Sequence, residues 1–298
     1  MRYIITALLA STTAAFADVP TVITDIPPIH ALVAQVMGDL GTPTLLLAKG
    51  ADEHDFALRP SQAGQVTDAG LVVWIGHELT PWLEGALENR PSGSAALGLL
   101  DAPGTLTQPF PEEAEHETEG DGHQHGTTDP HAWLNPDNAK LWLPMIATEL
   151  STLDPANAAI YAANAAAAVA NIDTLDAEVA AILAPAQGKP IVMFHDAFGY
   201  YSAHYSLTIA GNISLGDASS PGAKRLSDLR NTLQTGEVLC IFPEVQHDPA
   251  LVTQMAEGTG AKIGGALDPV GSSLEPGPGA YAALLKGLAQ TIADCITG

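Results

Sequence analysis

The sequence predicts an α/β protein of two lobes, each a small, twisted, mostly parallel sheet covered by helices, joined by one long rigid helix. Three observations predict it. Short β-rich runs alternate with helical patterns, the alternation from which parallel sheets are built. A series of such runs occurs twice along the chain. Between the two series, the segment after Asp154 and Pro155 contains neither Gly nor a further Pro until Pro185.

Residues 1–17, MRYIITALLASTTAAFA, place Arg2 before an apolar stretch from Ile4 to Ala10 and close on Ala15, Phe16, Ala17. This is the pattern of a secretory signal cleaved after Ala17. The apolar run is far shorter than the roughly 20 residues needed to span a bilayer. The first lobe is expected over residues 18–153, with strands at Thr21–Thr24, Pro43–Leu47, Leu71–Ile75 and Leu97–Leu100. Between the first two strands, Ile29, Leu32, Val33, Val36, Met37 and Leu40 recur at helical spacing, and Gly41 supplies the stop. Asp154 and Pro155 form a cap and first-turn pair. The connecting helix then fills 154–184 with roughly 29 residues, about 43 Å of rod at 1.5 Å per residue. Its apolar stripe is Ile172, Leu175, Val179 and Ile182, and a single rod permits less bending than flexible crossovers would. The second lobe, 185–298, has strand candidates at Ile191–Phe194, Leu207–Ile213, Val238–Phe242 and Lys262–Leu267, with helices starting near Pro249 and Tyr281.

Charge narrows the function. Eleven Lys and Arg face 34 Asp and Glu, a formal charge of −23. Such a surface repels nucleic acid and anionic lipid and attracts cations. The two cysteines, Cys240 and Cys295, are too few for a zinc ribbon or an iron–sulfur cluster, and in an exported chain they are expected to form a disulfide. One low-complexity segment, residues 111–129, is acidic, has almost nothing apolar to bury, and carries His116, His123 and His125. It reads as a surface loop able to bind metal weakly.

Histidines also recur just beyond strand candidates, where ligands bind in open α/β sheets. His54 lies in GADEHDFALRP, His131 in DPHAWLNPD ahead of a helix capped by Asn135 and begun by Pro136, and His195 in VMFHDAFGY. Asp268 lies in GALDPVG at the end of the last strand candidate. Three neutral imidazoles and a carboxylate suit zinc, whose tetrahedral sites accept N and O donors at about 2.0–2.2 Å. Taken singly each residue has a plainer role: His54 as a solvated loop residue, His131 bonded to a carbonyl, Asp268 as a turn or helix cap. Asp55 and Asp196, beside two of the histidines, are candidate anchors for their rings. His30, His77 and His247 are candidates for a second, weaker site, and His204 is read as non-ligating.

The segments GADEHDFALRPSQAGQVTDAGLVVWIGHELTPWL, DPHAWLNPDNAK, FHDAFGYY and ALDPVGS resemble, in order, those of the zinc-binding proteins of bacterial ABC importers, the ZnuA type of metal-binding solute-binding protein. The resemblance implies a metal held between two lobes, with His54, His131 and His195 as ligands and the fourth position filled by Asp268, by Glu53 or by water. Manganese members of the wider family carry glutamate at the position of His195, so the imidazole here suits zinc. A periplasmic, monomeric, non-enzymatic receptor is implied. Its partner would be a membrane permease with a cytoplasmic ATPase, with loading by a periplasmic metallochaperone. The rival reading, a zinc hydrolase, lacks HExxH and GxSxG motifs; an adhesin role is a third.

Overall fold

The computed structural model describes residues 19–110, 128–214 and 221–298. The expected signal segment, residues 1–17, and His116, His123 and His125 lie outside them. Strands β1 (Val22–Thr24), β2 (Thr44–Leu45), β3 (Leu71–Trp74) and β4 (Ala95–Gly98) pair in parallel in the order β2-β1-β3-β4. Strands β5 (Pro190–Met193), β6 (Thr208–Asn212), β7 (Cys240–Ile241) and β8 (Lys262–Ile263) repeat that arrangement as β6-β5-β7-β8. The second lobe is thus a topological copy of the first.

Most strands are shorter than the sequence reading, with β2, β7 and β8 reduced to two residues each, and two further boundaries differ for local reasons. Strand β4 begins at Ala95 rather than Leu97. Leu99 and Leu100, which drew the expectation, are buried and still donate to the carbonyls of Trp74 and Ile75 beyond the strand. Apolarity there tracked burial rather than pairing. Helix α1 (Pro27–Met37) gives way at Gly38 to a 3-10 turn, Gly38–Leu40, and the helical run stops at Gly41 as expected. Gly38 takes φ 54°, open to glycine at little cost, whereas Gly41 is extended. A Cβ on Gly38 would also meet Asn164 Nδ2 at 2.6 Å, so this turn lets the chain approach the connecting helix.

Helices α2 (Pro60–Asp68) and α3 (Glu84–Glu88) complete the first lobe's outer layer, and α4 (Pro136–Leu153) follows it. Asn135 caps α4 by accepting from Asp137 N at 2.9 Å, with Pro136 in the first turn. The connecting rod is a 3-10 turn at Pro155–Asn157, helix α5 (Ala158–Leu183) and a 3-10 turn at Ala184–Ala186. Buried Asp154 accepts from Asn157 Nδ2 at 2.7 Å and Tyr161 OH at 2.9 Å, fixing the entry. The buried face of α5 runs Tyr161, Ala165, Ala168, Ile172, Leu175, Val179, Leu183, at steps of three and four residues. That spacing is one face of a 3.6-residue helix; Ile182 of the expected stripe is only half-buried, and Leu183 closes the face.

Helices α6 (Gly199–Tyr205), α7 (Ala223–Gln234), α8 (Ala250–Ala256) and α9 (Ala280–Thr297) cover the second sheet. Helix α5 packs against α1, α4 and α9, and α9 also reaches α1. One apolar cluster therefore runs from Val22 and Leu71 through the α5 face to Ile191, Met193 and Phe242. The lobes share a core, which stiffens the joint between them. Cys240 on β7 and Cys295 on α9 form the expected disulfide, with Cα atoms 6.3 Å apart and a sequence separation of 55. Closing a loop of that length contributes about 4 kcal/mol in the chain-entropy picture. Among the described residues no helix is long and apolar enough to cross a membrane.

Candidate metal centre

Three loops at the carboxyl ends of the two sheets converge. The loop after β2 brings His54, the turn before α4 brings His131, and the residue pair after β5 ends on His195. Ring centroids are 5.6 Å apart for His54 and His131, 6.1 Å for His54 and His195, and 5.4 Å for His131 and His195. One nitrogen of each lies within 4.8 Å of one of the others'. A tetrahedral zinc ion with bonds of about 2.0–2.1 Å holds its donors about 3.3 Å apart, so an ion draws these rings together by an ångström or so. His131 is fully buried, and its Nε2 has no hydrogen-bond partner among the described residues. Leaving a buried polar atom unmatched costs about 1–3 kcal/mol, a cost that a bound cation removes.

Carboxylates hold the histidines in place. Asp129 Oδ1 accepts from both the His131 backbone N–H, at 2.9 Å, and its ring Nδ1, at 2.7 Å. Glu244 repeats this grip from across the second sheet: Oε1 accepts from His195 N at 3.2 Å and Oε2 from its Nδ1 at 2.6 Å. With Nδ1 donating to a carboxylate, the lone pair of a neutral ring sits on Nε2, the tautomer suited to a metal, and the carboxylate raises its basicity. Asp52 Oδ1 accepts from His54 N at 2.9 Å. Both Asp129 and Glu244 are buried, so two carboxyl groups stand directly behind the imidazoles. Gln108 Nε2 donates to Asp129 Oδ2 at 2.9 Å. Gly199 opens α6 against this pair, and a Cβ there would meet Gln108 Nε2 at 2.1 Å.

Residues 22–295 match the family described as ZnuA, zinc-uptake complex component A periplasmic. The chain belongs to the ZnuA family. It is 46% identical to the high-affinity zinc uptake system protein ZnuA of Paracoccus denitrificans (strain Pd 1222), over 94% of this chain and 93% of that protein. It is 32% identical to the protein of the same name from Brucella suis biovar 1 (strain 1330), over 93% and 91%. A zinc-bound crystal structure of a ZnuA 138-173 deletion mutant superposes with TM-score 0.74 at 28% identity, covering 93% of this chain and 98% of that one. The Mn2+ complex of FpvC from Pseudomonas aeruginosa superposes with TM-score 0.80 at 20% identity over 94% and 99%, which shows a shared fold.

Of the candidates for the fourth position, one is engaged elsewhere. Asp268 does not join the trio. Its Oδ1 accepts from Ser272 N at 3.0 Å and its Oδ2 from Ser273 N at 2.8 Å, while Gln246 Nε2 reaches Oδ1 at 3.3 Å. It organises a turn, as an Asp ahead of a Pro commonly does. That turn reaches the first lobe: Ser272 O accepts from Gly50 N at 2.9 Å, and Glu275 pairs with Lys49, both in the loop that carries His54. Asp268 therefore bears on the site by steadying the His54 loop. The carboxylate beside the trio is Glu53, buried, with Oε1 3.7 Å from His54 Nε2. Burial pushes its carboxyl above the usual range, and the nearby His54 opposes this.

The expected ring anchors also differ. Asp55 is exposed, and Asp196 turns Oδ1 to Asn212 Nδ2 at 2.9 Å, with burial pushing its carboxyl up to about 6. Both pairs lie in bends and turns beyond the strands, and Glu244 holds the His195 ring instead. His30 joins no convergent donor group among the described residues; its Nε2 is bonded to Pro43 O at 3.1 Å, and burial lowers its pKa. His77 pairs with Glu84 at 2.7 Å and His204 with Asp176 at 2.9 Å. Sequence reasoning missed Asp52, Asp129 and Glu244. The first two carried a signal, since Asp-x-His occurs at both 52–54 and 129–131. Glu244, 49 residues from His195, carried none.

Proposed function

We propose that the protein captures Zn2+ in the cleft between its lobes, on His54, His131 and His195, with Glu53 as the fourth donor, and passes the ion to a membrane permease driven by a cytoplasmic ATPase. The observation that carries this reading is the convergence of three imidazoles from far-apart loops, two of them locked by buried carboxylates in the metal-binding tautomer. Membership of a zinc-uptake family makes the protein a transport component rather than an enzyme. The ion is cargo, and the protein's work is selection and hold. An imidazole in the third position favours zinc over manganese, which prefers oxygen donors. A lone oxygen donor leaves the centre with about one net positive charge, offset by Asp129 and Glu244 behind it. Export by cleavage after Ala17, action as a monomer and loading by a metallochaperone belong to the same proposal.

Calorimetric titration of the metal-free protein tests it. Zn2+ binds more tightly than Mn2+, and His54→Ala, His131→Ala and His195→Ala each cost at least tenfold in affinity. Binding weaker than millimolar, or Mn2+ preferred, overturns the reading. Because an imidazole must be neutral to bind metal, zinc binding releases protons and zinc affinity falls on acidification. Zinc also raises the thermal midpoint by mass action.

A further inference from the structure

The loop after β7 carries more than the anchor of His195. Glu244 Oε2, which accepts from His195 Nδ1 at 2.6 Å, also lies 3.8 Å from His247 Nε2. Donor atoms of His195, Glu244 and His247 all fall within 4.8 Å of one another, a second convergent group that shares one member with the inner trio. The His247 ring lies on Phe194, with centroids 4.3 Å apart and planes 17° from parallel, so packing fixes where its nitrogen points. Exposure is graded across the group. The side chain of Glu244 is 1% exposed and that of His247 is 26% exposed. The inner trio is enclosed, and this neighbour opens to solvent.

Distances suit an ion. Donors on a tetrahedral zinc sit about 3.3 Å apart, so the 3.8 Å between Glu244 Oε2 and His247 Nε2 closes slightly, and the 2.6 Å between Glu244 Oε2 and His195 Nδ1 opens as the ion replaces their hydrogen bond. The donor set, nitrogen and carboxylate oxygen, is one that zinc accepts. We propose that Glu244 and His247 form an outer station for a divalent metal ion, with His195 Nδ1 as a third donor while the inner site is empty. This rests on His195 serving the inner site through Nε2.

The shared histidine links the two stations. A neutral imidazole has one lone pair. It faces inward when the proton sits on Nδ1 and is given to Glu244, and outward when that proton moves to Nε2. His195 therefore serves one ion at a time, and with the inner site filled the outer ion keeps only Glu244, His247 and water. The outer station is accordingly the weaker one, placed on the solvent side for entry or hand-over.

The test is calorimetric titration with Zn2+, with ion counts from native mass spectrometry. It uses the protein carrying His116→Ala, His123→Ala and His125→Ala, which silences the histidines of the 111–129 segment. The expected result is two ions, one tight and one at least a hundredfold weaker. Adding His247→Phe keeps a ring on Phe194 but removes the nitrogen; it abolishes the weak ion and leaves the tight affinity within threefold, and His247→Gln does the same. A single tight ion in the starting protein, or a weak ion that survives both His247 variants, overturns the outer station alone. Absence of any tight ion removes the inner-site reading and this one together.

Discussion

Each lobe ties the ends of its two central strands together with a buried carboxylate, and the two carboxylates serve different ends. In the first lobe Asp25, just past β1, accepts from Ile75 N beyond β3 at 2.8 Å, and its remaining capacity goes to Ile26 N at 2.8 Å and the Thr80 hydroxyl at 3.3 Å. In the second, Glu244 beyond β7 accepts from His195 N beyond β5 at 3.2 Å, and its other oxygen holds the His195 ring at 2.6 Å. The strand order around both clamps is the same. One ends on a backbone N–H and a hydroxyl and holds the fold; the other ends on an imidazole and holds a metal ligand. Topology supplies the position at the strand ends, and the side chain that occupies it decides between structure and function.

Glu244→Gln gives the largest separation of the two roles. Zinc affinity falls about 10–100-fold, as loss of a carboxylate behind a ligating histidine does, while the metal-free protein melts within a few degrees of the parent. Asp25→Asn inverts the pattern: calorimetric zinc affinity stays within threefold, and denaturant unfolding of the metal-free protein shows a loss of about 1–3 kcal/mol from mismatched buried donors. If both variants lost affinity and stability alike, the contrast between the clamps would be wrong.

A pH series sharpens the same contrast. Burial pushes the Asp25 carboxyl up from 3.8 to about 6, against the donors that favour its anion. A carboxyl whose folded pKa exceeds its unfolded one makes the native chain bind the extra proton, so stability falls as pH rises from about 4 to about 6 and then levels. Unfolding of the metal-free protein across that window should show this slope in the parent and a flatter one in Asp25→Asn. The smallest effect is expected at Gly199→Ala. The new methyl displaces Gln108 from Asp129 and lowers zinc affinity a fewfold through the His131 ring, measurable in the same titration.

The fold was legible because its determinants are local. Eight β-rich runs, the Asn135–Pro136 helix start and the uninterrupted stretch after Pro155 all announce themselves within a few residues. The three imidazoles were legible from their strand-end positions together with the family resemblance. What escaped was set by contacts across the fold. Asp268 and Glu53 both sit beside motif residues, and only the Ser272–Ser273 turn, which takes up both oxygens of Asp268, separates them. Glu244 is brought to His195 by the β5–β7 pairing, a register that no short motif encodes. Gly41 ends the helical run, but the change from α-helix to 3-10 turn at Gly38 is set by its approach to Asn164, a contact that sequence does not show.

X-ray absorption at the zinc edge of the one-to-one complex bears most directly on the central claim, that imidazoles from both lobes share one ion. The spectrum of the parent should fit three imidazole nitrogens and one oxygen at about 2.0–2.1 Å, and His54→Ala should fit two imidazoles. A shell of five or six oxygens, or three imidazoles retained after any one of His54, His131 or His195 is removed, would contradict it.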